Sequence, residues 1–119
     1  MKINIKSTKI ELTDAIKDYV QEKMDMLEKN LGSIKVLNCD VEVGMTSNHH
    51  NKGEIFRTEV NLNLPGELLR VEKTEEDLYR SIDNVKDHLT MAIKKYKEKR
   101  IDNNRQVEEV LVEDVMGEE

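Results

Sequence analysis

The sequence is poor in several of the residues that mark particular protein classes. It has one Cys, one Pro, five Gly, no Trp, three Tyr and one Phe in 119 residues. A lone cysteine, Cys39, excludes an internal disulfide framework. Its place among Val36, Leu37, Val41 and Val43 fits a thiol buried in a strand rather than a nucleophile. With so few aromatics, the core falls to Leu, Ile, Val and Met. No apolar run approaches the roughly 20 residues that cross a bilayer. Met1-Lys2-Ile3-Asn4 also lacks the apolar stretch of a secretory leader. The expectation is therefore a cytoplasmic chain with no membrane contact, sized for one core.

What is abundant is charge, at 37% of residues with a formal net of -6. The excess is not spread along the chain. Residues 1–100 hold 18 Lys+Arg and 18 Asp+Glu, whereas residues 101–119 hold Arg105 against seven acids. Immediately before that acidic stretch come Lys94, Lys95, Lys97, Lys99 and Arg100 against Glu98. A basic segment thus abuts an acidic one, an asymmetry that speaks to partners rather than to fold.

Periodicity assigns the elements. Ile3 and Ile5 alternate with polar neighbours, as in a strand, and Thr13-Asp14 offers a cap to a helix. That helix places Leu12, Ile16, Tyr19, Val20, Met24, Leu27 and Leu31 on one face and stops at Gly32. Strand-like runs follow at 34–44, 54–64 and 67–73, with Pro65-Gly66 turning between the last two. The polar connection from Thr46 to Gly53 joins the first pair. Thr74-Glu75-Glu76-Asp77 reads as a capping box with Thr74 at the cap. It opens a helix with Leu78, Ile82, Val85, Leu89, Ile93 and Tyr96 on its apolar face. After residue 101 the chain is acidic with only a weak Val/Leu pattern from Val107 to Val115, so 102–119 is expected to be a disordered tail.

The order β-α-β-β-β-α predicts an α+β domain over 1–101. Its four-stranded sheet carries two helices on one face, and a right-handed crossover sets the first strand parallel to the second. Within it, candidate chemistry is sparse. His49-His50 has no Cys or carboxylate cluster at ligand spacing, so no metal is expected. His88 sits off the apolar face with no identifiable nucleophile or partner acid. No phosphate-cradling Gly loop or nucleophile elbow is present, so neither an enzyme nor a bound cofactor or small-molecule substrate is expected. The basic end of the second helix is more promising. At about 100° per residue, His88, Met91, Lys95 and Lys99 form one stripe beside the buried face. Lys94 points away from the core and Arg100 lies on the other flank. Phosphate-backbone binding and a plain solvated face both fit this pattern.

Several blocks in register over residues 1 to about 101 resemble the bacterial ribosome hibernation promoting factor and ribosome-associated inhibitor family. They are Ile3-Asn4-Ile5, Ile10 to Ile16, Tyr19-Val20 with Lys23, and Leu27-Glu28-Lys29. The most specific runs from Asp77-Leu78-Tyr79 into Ser81-Ile82-Asp83, ahead of Lys94-Lys95-Tyr96-Lys97. The resemblance implies a fold similar to double-stranded RNA-binding domains, binding to ribosomal RNA of the small subunit, and occlusion of the messenger and transfer RNA path. The protein is then a translational silencer under stress, monomeric off the ribosome. The RNA-binding residues so implied are Lys23, Lys29, Lys86, His88, Lys94, Lys95, Lys97, Lys99 and Arg100.

Two departures weaken the cationic surface. Where the family carries an Asp-Lys-Leu-x-Arg-Gln pattern, this chain has Asp87-His88-Leu89-Thr90-Met91-Ala92, and Met26 stands where Lys is frequent. A protein-binding adapter of the same fold, or a general duplex-RNA module, is the competing expectation.

Overall fold

The computed structural model describes the backbone of residues 1–46 and 53–116, with side chains described through residue 101. The elements are β1 (Asn4–Thr8), α1 (Asp14–Leu31), β2 (Asn38–Thr46), β3 (Ile55–Leu64), β4 (Glu67–Glu75) and α2 (Leu78–Met116). The sheet order is β1-β2-β3-β4. β1 pairs parallel with β2 through Ile5↔Val41, and the remaining pairs are antiparallel. This is the predicted α+β architecture. His49 and His50 lie outside the described residues.

Local chemistry explains the element ends. Thr13 caps α1, its side chain accepting from the Ile16 N–H at 3.2 Å, and Gly32 ends it at φ 63°. Pro65 and Gly66, the latter at φ 83°, turn the chain between Leu64 and Glu67 as a type II turn requires. Gly44 answers a packing demand instead. A Cβ there would lie 2.6 Å from the Thr8 carbonyl oxygen, so the parallel β1–β2 pairing closes only on a glycine.

Several boundaries differ from the sequence reading, three of them by three residues or more. β2 begins at Asn38 rather than 34; upstream, the Leu37 N–H already donates to the Asn63 carbonyl at 2.9 Å. The capping box is out of register by three residues. β4 pairing continues through Thr74↔Arg57 and Glu75↔Phe56, which holds Thr74 in the strand. Asp77 is the cap, its carboxylate accepting from the Tyr79 and Arg80 N–H groups at 2.8 and 3.4 Å. Finally, the α2 backbone runs on to Met116, where the sequence reading ended the helix near residue 101.

The helices and the inner sheet face enclose one aliphatic core. Val20, Met24, Leu27, Val43, Val60, Leu62, Ile82, Val85 and Leu89 are fully buried in it. Cys39 is buried there too, and desolvation pushes its thiol up to about 12, the unreactive state expected from its neighbours. The buried hydroxyls of Thr58 and Ser81 satisfy each other at 2.7 Å, and Ser81 also donates to the Leu78 carbonyl.

Candidate nucleic-acid interface

The nine sequence-predicted residues do not form one surface. Lys23 faces α2 and is engaged there. Its ammonium lies 3.7 Å from the Asp83 carboxylate and 5.0 Å from the centre of the Tyr19 ring. Tyr19 donates its hydroxyl to the same carboxylate at 2.5 Å and packs edge-on against Tyr79 at 4.8 Å. The bond to Asp83, followed by desolvation, pushes the Tyr19 phenol up to about 12. This polar cluster joins α1 to α2 and spends the Lys23 charge internally. Lys86, half-buried, meets Asp87 at 3.6 Å and is similarly offset.

Three of the remaining cations have contacts where α1 ends and α2 passes the β3–β4 turn. Lys97 reaches across to donate to the Asn30 carbonyl in the last turn of α1, at 2.8 Å. Its positive charge sits where the exposed carbonyls of a helix end concentrate negative potential. Lys99 pairs with Glu67 at 3.5 Å, with both side chains solvent-exposed, so the attraction is weak. Arg100 lies over the Tyr96 ring at 5.6 Å and donates to the Tyr96 hydroxyl at 3.1 Å. Tyr96 in turn donates to the Pro65 carbonyl at 2.6 Å, which ties α2 to the turn. Lys29, Lys94 and Lys95 are exposed and have no ion-pair partner among the described residues. His88 is exposed on the stripe it shares with Met91, which is 65% exposed.

Sequence reasoning offered the open face of the sheet only as a surface for a protein partner and singled out none of its residues. There Arg57 is bound by Glu42 at 2.6 Å, Glu59 at 2.5 Å and Glu72 at 2.8 Å. Lys6 joins through Glu42 and Arg70 through Glu59. The hydrogen bonds to Arg57 hold the Glu42 and Glu72 carboxyls below their ordinary range. Each of these residues occupies a polar position in an alternating strand, which is a visible signal. Their partnership depends on the register Lys6↔Glu42↔Glu59↔Glu72, which only the paired sheet reveals. The three cations here face four acids, counting Asp40, so this face offers no surplus positive charge to a polyanion. The helix end does.

Among the described residues, no group of three or more His, Cys, Asp or Glu is arranged to hold a metal, and no helix is long and apolar enough to cross a membrane. Fold and surface together define a small α+β domain with a cationic end. Residues 3–101 match the family described as Sigma 54 modulation protein / S30EA ribosomal protein, and the chain belongs to that family. A ribosome hibernation promoting factor from Azotobacter vinelandii is 31% identical over 105 residues, which are 88% of this chain and 91% of that one. A ribosome hibernation promotion factor from Picosynechococcus is 31% identical over 109 residues, 92% of this chain but 55% of that protein, so the chain spans about half its length. Among solved structures, the N-terminal domain of Thermus thermophilus Protein Y superposes with a TM-score of 0.70 at 31% identity, covering 81% of this chain and 99% of that one. The Azotobacter and Picosynechococcus relatives are named for ribosome hibernation.

Proposed function

We propose that this chain is a cytoplasmic, ribosome-associated hibernation factor that binds the small ribosomal subunit and silences translation by occupying the messenger and transfer RNA path. The observation that carries the reading is the cationic end of the helix layer, in a chain whose relatives are named hibernation factors. Lys29, Lys94, Lys95, Lys97 and Arg100 form no ion pair with a carboxylate of the described residues. Lysine and arginine contacts to phosphates supply most of the sequence-independent affinity for RNA, and such contacts position a protein without reading sequence. Residues 1–101 act as a plug in this mechanism, and the chain performs no chemistry. Lys23, Lys86 and Lys99 contribute less than their charge suggests, because Asp83, Asp87 and Glu67 offset them. The chain is monomeric off the ribosome, and residues 102–119 are an acidic tail outside the binding domain.

A second reading, a protein-binding adapter of the same fold, draws support from the charge-compensated sheet face. The two separate on binding to vacant small subunits at rising salt. A hibernation factor binds them with an affinity that falls with salt, as phosphate contacts demand. Absence of binding at low salt moves the assignment to the adapter.

A further inference from the structure

The cations of the helix end differ in how they are held, and that difference singles out one site. Lys94 and Lys95 are free ammonium groups on long stems, and holding either against a phosphate costs rotamer freedom. Lys99 is fixed, but by a carboxylate that offsets its charge. Arg100 and Lys97 are fixed by groups without a formal charge, so no carboxylate offsets them. One guanidinium nitrogen of Arg100 is satisfied by the Tyr96 hydroxyl, and the plane is steadied by the Tyr96 ring. Tyr96 is itself immobile, only 3% exposed and bonded to the Pro65 carbonyl. Lys97 is steadied by the Asn30 carbonyl from the neighbouring helix. Three residues apart on a helix, the two side chains are surface neighbours.

We propose that Arg100 and Lys97 form a preorganised clamp for a single backbone phosphate of RNA. Arg100 is the bidentate anchor and Tyr96 the positioning residue that aims it. The Nη1 of Arg100 faces Tyr96, which leaves the Nε and Nη2 edge of the guanidinium for two phosphate oxygens, the fork geometry that lysine lacks. Lys97 keeps two of its three ammonium protons after serving Asn30. Lys29, Lys94 and Lys95 then act as mobile charge around a fixed point. This clamp rests on the proposed RNA binding and adds a ranking of residues that net charge does not supply.

The test compares wild-type full chain with Arg100→Lys, Tyr96→Phe and Lys95→Ala on vacant small ribosomal subunits across a salt series. Arg100→Lys keeps the charge and loses the fork, so affinity falls about tenfold, the equivalent of one charge-assisted hydrogen bond, with the salt slope unchanged. Tyr96→Phe removes only the hydroxyl and produces a loss in the same direction, again with no change of slope. Lys95→Ala flattens the slope by removing a charge. If Tyr96→Phe lowers thermal stability, Arg100→Lys, an exposed position outside the core, decides the matter. Salt-dependent binding in which Arg100→Lys equals wild type overturns the clamp and leaves the RNA reading standing. Binding that ignores salt in every variant overturns the RNA reading itself.

Discussion

If Asp83 holds Lys23 out of the RNA-binding surface, then Asp83→Asn should release it and tighten binding to the small subunit. Asparagine is nearly isosteric and its carbonyl still accepts the Tyr19 hydroxyl, so the helix–helix cluster retains its shape. What disappears is one negative charge 3.7 Å from the Lys23 ammonium. At that distance two charges attract by about 1 kcal/mol in a water-like dielectric and several times more in a protein interior. The Lys23 side chain is 21% exposed and that of Asp83 44%, so the water-like figure applies, discounted further by screening. The expected gain is about two- to fivefold in affinity, and the salt slope steepens by roughly 0.7 to 0.9 if the freed ammonium finds a phosphate. Ultraviolet titration checks the cause independently. The Tyr19 phenol, pushed up to about 12, falls back toward its ordinary value when the carboxylate is gone. Unchanged or weaker ribosome binding, in a folded variant whose tyrosine titration has shifted as expected, refutes the reasoning.

Gly44→Ala places a methyl group 2.6 Å from the Thr8 carbonyl oxygen and 3.1 Å from the Thr8 Cβ, and a backbone atom has little room to yield. It should destabilise the domain by about 1–3 kcal/mol, the usual range for forced overpacking, and thermal unfolding followed by circular dichroism reads the loss. Acid should weaken the open sheet face. Glu42 and Glu72 titrate below their unfolded values in the native state, so their contribution is present above about pH 4.5 and is lost as pH falls through the lowered native values. A urea midpoint that holds constant from pH 7 to pH 3 contradicts the ionic lattice. Cys39, buried with its thiol held up near 12, should resist alkylation at neutral pH and react only on unfolding, a contrast that mass spectrometry resolves directly.

The fold was legible because its signals are local. Thr13, Gly32 and Pro65-Gly66 mark ends and turns by their own backbone chemistry, and the Val20, Met24, Leu27, Leu31 stripe marks a buried face. The helix cap was misplaced because Thr74 and Asp77 offer the same local chemistry, and strand pairing with Arg57 decides between them. The candidate site was legible only as a list of cations. Sequence supplies their number and their angle around the helix. It does not supply the partners, and the partners separate Lys23, held by Asp83 from across a helix interface, from Lys95, which is unpaired among the described residues. Arg57 was invisible for the complementary reason, since its three carboxylates come from three strands.

The central claim is that the helix end meets ribosomal RNA. Co-sedimentation of the full chain with vacant ribosomes and separated subunits, across a salt series, tests it most directly beside the triple variant Lys94→Glu, Lys95→Glu, Lys97→Glu. The account predicts small-subunit binding that weakens as salt rises and is lost in the variant, while the variant's circular dichroism remains that of a folded domain. Undiminished binding by the charge-reversed chain, or no binding by the wild type at low salt, contradicts it.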